Sequence, residues 1–448
     1  MTQAHVFSAA FLLAYAYIAF ASHMRGAAVW AAAGMAMAVC ALAGLGVDHA
    51  SLLRSVDFNI LLIYSGVLLV AEVLMETGVP AWLATRLVEV AGSMGMASLL
   101  LCLLSGAVSA FLENVATVML VAPVALELSR RMEANPVPLL ICIAVSSNLQ
   151  GTATLVGDPP SMILASSMNL NFNDFFYHGR PGIFFAVEAG AAASLVFVFW
   201  LFRKDRRRVP SWTCPPVSSW VPALILAGVV SALVATSFLG SGSGGGMLPG
   251  LICASGGMLS LLWHVLRHRG LLPTILRARR NEEAGVGRGW REMVRGFDFD
   301  TLALIAGIFF MVGALEEYGV MGSAASLLAG VCGQSRIAAF LAVVWGSVAI
   351  SALVDNVPYV TAMLPVTRAL SQSIGLAGSP LLEFGLLVGA CLGGNISPVG
   401  ASANIVAVSM LRRAGYRVGF GRFVKLGLPF TVLATLAGSL VLWGVWAP

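Results

Sequence analysis

The sequence predicts an all-α polytopic membrane protein: an inverted repeat of two halves, each with five membrane helices, one re-entrant hairpin and one broken helix. Three observations predict it. The 448 residues are 58% hydrophobic and 10% charged, with a mean hydropathy of +0.89, whereas a soluble domain carries roughly 25% charged residues. Apolar stretches of about 20 residues, the length that crosses the hydrocarbon as a helix, follow one another along the chain. The second half also repeats the first. DFNILLIYSGVLLVAEVLMETGV (57–79) matches DFDTLALIAGIFFMVGALEEYGV (298–320), ENVATVMLVAPV matches DNVPYVTAMLPV, and TATLVGDPPS (152–161) matches NISPVGASAN (395–404). Repeats of this kind decide the architecture before any helix is assigned.

In chain order, the N-terminal stretch (MTQAHVFSAAFLLAYAYIAFAS) lacks the basic residues that precede a signal-peptide core and reads as a first membrane helix near 6–22. Helices follow near 27–47 and 58–78, then a short amphipathic piece, AWLATRLVEVAGS. The run 95–132 is too long for one span and holds Glu113 and Asn114 near its middle, which predicts a helical hairpin with a polar tip. Spans near 137–169 and 181–202 complete the half. The second half offers 220–240, 246–266, 299–318, a hairpin run 337–370 around Asp355 and Asn356, then 381–411 and 425–446. SSNLQGTATLVGDPP (146–160) and GGNISPVGASAN (393–404) pack Gly, Pro, Ser and Thr into the centre of apolar spans. They predict helices that unwind and resume. Unwound backbone at bilayer depth must be buried in protein or line an aqueous cavity, so both hairpin tips and both breaks are expected at one site.

The basic connections RKDRRR (203–208), Arg267 to Arg295, and RRAGYRVGFGRFVK (412–425) fall on one side, the cytoplasmic side, if the hairpins do not cross. SGSGGG (241–246) and both termini are then extracytoplasmic. Five crossings per half invert the second half, with the first hairpin opening to the cytoplasm and the second outward. Such inverted repeats with polar breaks near the midplane build secondary transporters. The expected divisions are a first repeat 1–202 (scaffold 1–92, transport part 93–202), a linker 203–219, and a second repeat 220–448 (scaffold 220–335, transport part 336–448).

A carboxylate at bilayer depth is costly unless paired, hydrated or protonated. Glu113 and Asp355 are therefore candidates to bind a coupling cation or cycle a proton, with Asn114 and Asn356 as amide ligands for Na+. Each carboxylate also suits a cap of the second hairpin arm. Thr117, Thr152, Thr154, Asn395, Ser397 and Asn404 offer further polar groups, and Gly151, Gly157, Gly394 and Gly400 permit close backbone approach. Asp158, followed by two prolines, suits a helix start. No Lys, Arg or His occurs in these four stretches, so a multiply charged anion would need helix N-termini, amides and co-bound cations. The seven cysteines are scattered and suggest neither a disulfide framework nor a metal site. The net charge of +5 lies in loops, which argues against nucleic acid. No Walker motif points to ATP hydrolysis, and no enzymatic constellation or cofactor is expected beyond Na+ as a coupling ion.

At FLENVATVMLVAPV, GTATLVGDPPSMI, SALVDNVPYVTAMLP and GGNISPVGASANIVAVSMLRRAGY the sequence resembles the ion transporter superfamily. The similar branch holds arsenite permeases, D-type Na+/H+ antiporters and the melanosomal P protein, with a citrate-transporter-like domain. The resemblance implies a homodimer working by an elevator motion in the cell (inner) membrane. It implies transport of a small inorganic solute such as arsenite or an anion, Na+ or H+ coupled, with a separate ATPase subunit if the chain exports arsenite. A Na+/H+ antiporter is the alternative; a di- or tricarboxylate transporter, or a channel, comes second. Related dicarboxylate transporters carry Ser-Asn-Thr at the hairpin tips, where this chain has Glu113-Asn114-Val115 and Asp355-Asn356-Val357. That departure favours cation or proton involvement. Ser161 stands where relatives usually continue GDPP with Asn.

Overall fold

Two sets of helices in matching order make up the computed structural model, which describes residues 2–20, 24–209, 214–239, 246–269, 271, 297–333 and 335–447. The first half runs through α1 (Gln3–Phe20), α2 (Arg25–Leu42), α3 (His49–Arg54), α4 (Phe58–Glu76) and α5 (Val79–Val90). A hairpin of α6 (Met94–Ser109) and α7 (Asn114–Arg131), a broken span of α8 (Val137–Gly151) and α9 (Pro159–Met168), and α10 (Ile183–Phe202) follow. The second half opens with α11 (Val221–Leu239), α12 (Leu248–His268), α13 (Phe299–Glu317) and α14 (Val320–Cys332). Its hairpin is α15 (Arg336–Ser351) and α16 (Asn356–Ser373), its broken span α17 (Leu381–Gly393) and α18 (Ser402–Arg413), and its last helix α19 (Phe420–Trp446). Among the described residues seven stretches, α2, α3 with α4, α10, α11, α12, α13 and α19, are long and apolar enough to cross a bilayer. The other expected spans are α1 and the two broken helices. Most of Arg267–Arg295 and of SGSGGG, used above for orientation, lies outside the described residues.

The repeat is visible in local chemistry. Asp57 caps α4 by accepting from Ile60 N–H, and Asp298 caps α13 by accepting from Thr301 N–H. Gly78 and Gly319 start α5 and α14 at φ 75° and 76°, left-handed geometry that glycine adopts without a Cβ penalty. Pro123 and Pro365 sit inside α7 and α16. Three elements differ from expectation. The α3 turn, capped by Asp48, is too short to show as an apolar run. The α14 helix, which follows Gly319 directly, falls in the unassigned stretch between the span near 299–318 and the hairpin run 337–370. The start of α19 at Phe420 lies within a basic segment that a hydropathy window places in the loop.

Packing exchanges partners between the halves: α4 lies along α12, and α2 along α13. Small residues set the approach, as is usual where the surroundings are apolar and helices associate by van der Waals contact. A Cβ at Gly66 would stand 2.2 Å from the Cys253 carbonyl carbon, and one at Gly26 2.6 Å from the Asp300 carbonyl oxygen. Helix starts are pinned alike, Gly250 N–H donating to Asn59 Oδ1 at 2.8 Å and Gly26 N–H to Asp300 Oδ1 at 3.0 Å. The closing helices α10 and α19 also pair.

The two hairpin mouths lie at opposite ends of α10. At its C-terminal end, Met94 N–H and Gly95 N–H donate to Arg207 O and Asp205 O, and Arg207 Nη1 donates to Met132 O, so the basic linker clasps both arms of the first hairpin. At its N-terminal end, Trp446 Nε1–H donates to Pro181 O, and Ser379, beside the second hairpin's exit, donates to Trp446 O. Twenty helical residues separate these points, about 30 Å.

Candidate functional site

Both hairpin tips and both helix breaks meet around a central cavity of about 290 Å³. The first hairpin contributes Glu113 and Asn114, the second Asp355 and Asn356; α8 contributes Asn148, its break Asp158 to Pro160, and the second break Ala401 to Ala403. Scaffold helices close the cavity with Arg25, Tyr64, Asp298 and Thr301.

Each tip carboxylate caps the arm that follows it. Glu113 accepts from Ala116 N–H at 3.0 Å and Asp355 from Val357 N–H at 3.0 Å. Capping uses Oε2 of Glu113 and Oδ1 of Asp355, so the second oxygen of each faces other partners: that of Glu113 remains for the cavity, and Oδ2 of Asp355 receives Arg25. The asparagines after them are held identically: Ser109 Oγ donates to Asn114 Oδ1, and Ser351 Oγ to Asn356 Oδ1 at 2.6 Å. Asn114 Nδ2 also reaches Asp158 Oδ2 at 3.4 Å. Asp158 caps α9 through Ser161 N–H, the expected helix-start role, and lines the cavity as well. Its repeat counterpart Ala401 opens α18 with no side-chain cap.

The breaks depend on glycine. A Cβ on Gly151 would fall 2.3 Å from Asn114 Oδ1, and one on Gly157 2.3 Å from Gly151 O. In the other half, a Cβ on Gly394 would fall 2.7 Å from Gly400 O, and one on Gly400 2.7 Å from Gly394 O. Each tip asparagine therefore nests against the unwound backbone of its own half.

Of the remaining expected residues, Thr117, Thr152, Thr154, Gly157, Asn395, Ser397, Gly400 and Asn404 stand behind the cavity wall rather than on it. Thr152 donates to Leu149 O within its own helix, and Thr154 to Ala110 O of the first tip. Ser397 Oγ accepts from Gly400 N–H at 3.0 Å, folding the second break. Asn404 Nδ2 donates to Gly394 O and Ser397 O, both at 2.9 Å. Thr117 is fully buried, and its hydroxyl has no hydrogen-bond partner among the described residues. Asn148 joins the halves, its Nδ2 donating to Asn395 Oδ1 at 2.8 Å and Asn404 Oδ1 at 3.1 Å.

Among the polar lining residues that escape the sequence argument are Arg25, Tyr64, Asn148, Asp298 and Thr301. Arg25 matters most, because it places a cation where the broken stretches supply none. Met24 before it takes a left-handed conformation (φ 56°). The Arg25 and Gly26 N–H groups then donate to the Asp300 carboxylate, and Arg25 Nη1 donates to Asp355 Oδ2 at 2.7 Å. Both side chains of that ion pair are about 15% exposed, at 15% and 14%. The available signals were a lone arginine opening an apolar span and an aspartate, Asp298, matched to Asp57 in the repeat. Neither shows which way a side chain turns. Among the described residues, the lining thus carries four carboxylates, Glu113, Asp158, Asp298 and Asp355, against the single guanidinium of Arg25.

Comparison with known proteins agrees with this architecture. The citrate transporter family model matches residues 15–382 and 258–448. An uncharacterized transporter of Mycobacterium bovis is 31% identical over 398 residues, covering 87% of this chain and 86% of the relative. The human P protein is 28% identical over 512 residues, covering 98% of this chain and 60% of the P protein. Among solved structures, the Alcanivorax borkumensis YdaH transporter superposes with TM-score 0.56 at 16% identity, over 99% of this chain and 98% of that one. Neisseria gonorrhoeae MtrF, described as illuminating a class of antimetabolite efflux pumps, gives 0.52 at 12% identity, over 100% and 97%.

Proposed function

The chain belongs to the citrate transporter family and is a multi-pass membrane transporter, and we propose that it is a cation-coupled secondary transporter whose coupling ion binds among Glu113, Asp158, Asp298 and Asp355. One observation carries this reading: four carboxylates face one guanidinium in a cavity shared by both hairpin tips and both helix breaks. Oxygen donors in excess of positive charge attract a hard cation or protons. Arg25 acts as a built-in competitor, occupying Asp355 until the coupling ion displaces it.

The cargo best suited to this lining is a small inorganic solute, neutral like an arsenite-type oxyacid or taken up with its cation. Na+/H+ antiport is the second reading, and the same charge excess favours it because no further solute is then required. A free di- or tricarboxylate would bring like charge to the carboxylates, so in this cavity it would travel with compensating cations. The process is transport without covalent chemistry.

Elevator motion of the parts 93–202 and 336–448 against the scaffolds 1–92 and 220–335 fits the distribution of contacts. Within the scaffolds, α4 with α12 and α2 with α13 interlock through glycine. Within the moving parts, α10 pairs with α19 and Asn148 ties the breaks together. Polar ties between them include Arg25 to Asp355 and Ser166 to Asp57. The hairpin mouths at opposite ends of α10 support inverted halves, and the basic linker at the first mouth supports a cytoplasmic opening there. Both termini then face outward from the inner membrane. A homodimer joined through the scaffolds suits this motion.

The test is a flux screen in proteoliposomes. Na+, Li+, arsenite and citrate are offered in turn, with a pH-sensitive dye inside. Ion movement alone identifies an antiporter, ion movement only with solute identifies a coupled permease, and solute flux indifferent to Na+ and pH gradients refutes cation coupling.

A further inference from the structure

A second group of side chains, remote from the cavity lining, has the composition and spacing of a metal site. We propose that Glu76, His264 and His268 bind an exchangeable divalent transition metal, Zn2+ or its close analogues, at the end of the α4–α12 pair.

Their ligand atoms lie within 4.8 Å of one another. Glu76 Oε2 is 3.5 Å from His264 Nδ1. Bonds of about 2.0–2.1 Å from a tetrahedral zinc put neighbouring ligand atoms about 3.4 Å apart, so this pair already stands at ligand spacing. His264 and His268 are one turn apart on the same face of α12, with ring centroids 4.4 Å apart. A rotation of the exposed His268 ring closes the remaining gap without moving backbone.

The supporting helices are rigidly placed. Gly66 and Gly257 bring α4 and α12 into backbone contact, and Asn59 holds the start of α12. Arg267, between the two histidines in sequence, is turned elsewhere: its Nη1 donates to Ser218 Oγ, and its guanidinium lies 5.2 Å over the Trp263 ring.

The other half shows that helix packing does not itself demand two imidazoles. Aligning Gly26 with Gly250, which make the same backbone hydrogen bond, sets Cys40 opposite His264 and Gly44 opposite His268. Glu317 matches Glu76, yet no second such trio occurs among the described residues. Two imidazole nitrogens and one carboxylate suit Zn2+, Co2+ or Ni2+ rather than Mg2+ or Ca2+. Three protein ligands with an exposed edge leave a fourth position for water, as in exchangeable rather than closed structural zinc sites.

The test uses the full-length chain in detergent, stripped with EDTA and titrated with Co2+. The expected result is one Co2+ per chain with tetrahedral d–d absorption, displaced by Zn2+ and unaffected by excess Mg2+. Zn2+ should also raise the thermal midpoint. His268→Gln, at an exposed position and so expected to fold normally, should weaken binding by at least the roughly 10–100-fold that loss of a mere outer-shell partner costs. Glu76→Gln should weaken it comparably. Absence of saturable Co2+ binding by the wild-type chain would overturn the proposal. Equal binding by His268→Gln, or a thiolate charge-transfer band showing cysteine ligation instead, would do the same.

Discussion

Replacing Arg25 with methionine removes the only side-chain cation that the described residues place in the cavity lining, while keeping an apolar stem of similar reach. Arg25 Nη1 lies 2.7 Å from Asp355 Oδ2. Unit charges about 4 Å apart attract by about 4 kcal/mol at an effective dielectric of 20, and desolvation of a mostly buried pair offsets part of this. A net coupling of about 2 kcal/mol remains. If the transported or coupling cation must displace Arg25, Arg25→Met raises cation affinity by the same amount, roughly thirtyfold. The ion-free protein becomes less stable by about 2 kcal/mol, because Asp355 is left buried and unpaired. The assay is thermal unfolding in detergent across a Na+ or Li+ series, which reads both quantities. Saturating cation should recover most of the lost midpoint through linkage. An unchanged cation affinity in a folded Arg25→Met protein would refute the competitor role, and an unchanged ion-free midpoint would show that the ion pair contributes nothing.

Three further outcomes follow from the same geometry. Gly66→Ala puts a Cβ 2.2 Å from the Cys253 backbone and should destabilise by about 1–3 kcal/mol. Gly322→Ala, with nothing within 4 Å, should be neutral or slightly stabilising; equal midpoints for both variants would contradict the close α4–α12 approach. Asn148→Ala strips a donor from Asn395 and Asn404, so it should cost about 1–3 kcal/mol and disturb transport, measured by midpoint and flux. Asp158→Asn keeps an equally good cap for α9, so stability should hold while cation-coupled flux falls; a matched fall in both would reduce Asp158 to its structural role.

Much of this architecture is legible in the sequence because bilayer depth makes polar residues expensive. A carboxylate in FLENVAT or LVDNVPY has few places to go, and a Gly-Pro cluster inside an apolar span has to unwind. The duplicated motifs then assign Asn114 to Asn356 and Gly157 to Gly400, and the structure gives each asparagine a corresponding serine, Ser109 and Ser351, and packs each glycine against Gly151 or Gly394. What is not legible arises from packing between elements far apart in sequence. Arg25 reads as the flank of a span until Asp300, 275 residues later, fixes its backbone and Asp355 receives its side chain. Thr152 and Thr154 resemble ligands by composition, yet a hydroxyl in a break also satisfies a nearby carbonyl, and here both do. The α14 helix, begun after Tyr318 and Gly319, is passed over because its 13 residues are too few to read as a membrane span.

The central claim is that the tip carboxylates carry the coupling ion through their charge. Glu113→Gln and Asp355→Asn each keep a side-chain carbonyl that can accept from Ala116 N–H or Val357 N–H, so the caps and the fold should persist. Ion-coupled flux through proteoliposomes of each variant, normalised to folded protein, tests the claim most directly. The charge-based mechanism predicts a loss of at least about tenfold, equivalent to about 1.4 kcal/mol, with the Glu113→Gln midpoint near wild type and that of Asp355→Asn lowered by loss of its ion pair with Arg25. Wild-type flux and ion dependence in both variants would contradict it, leaving Glu113 and Asp355 as helix caps alone.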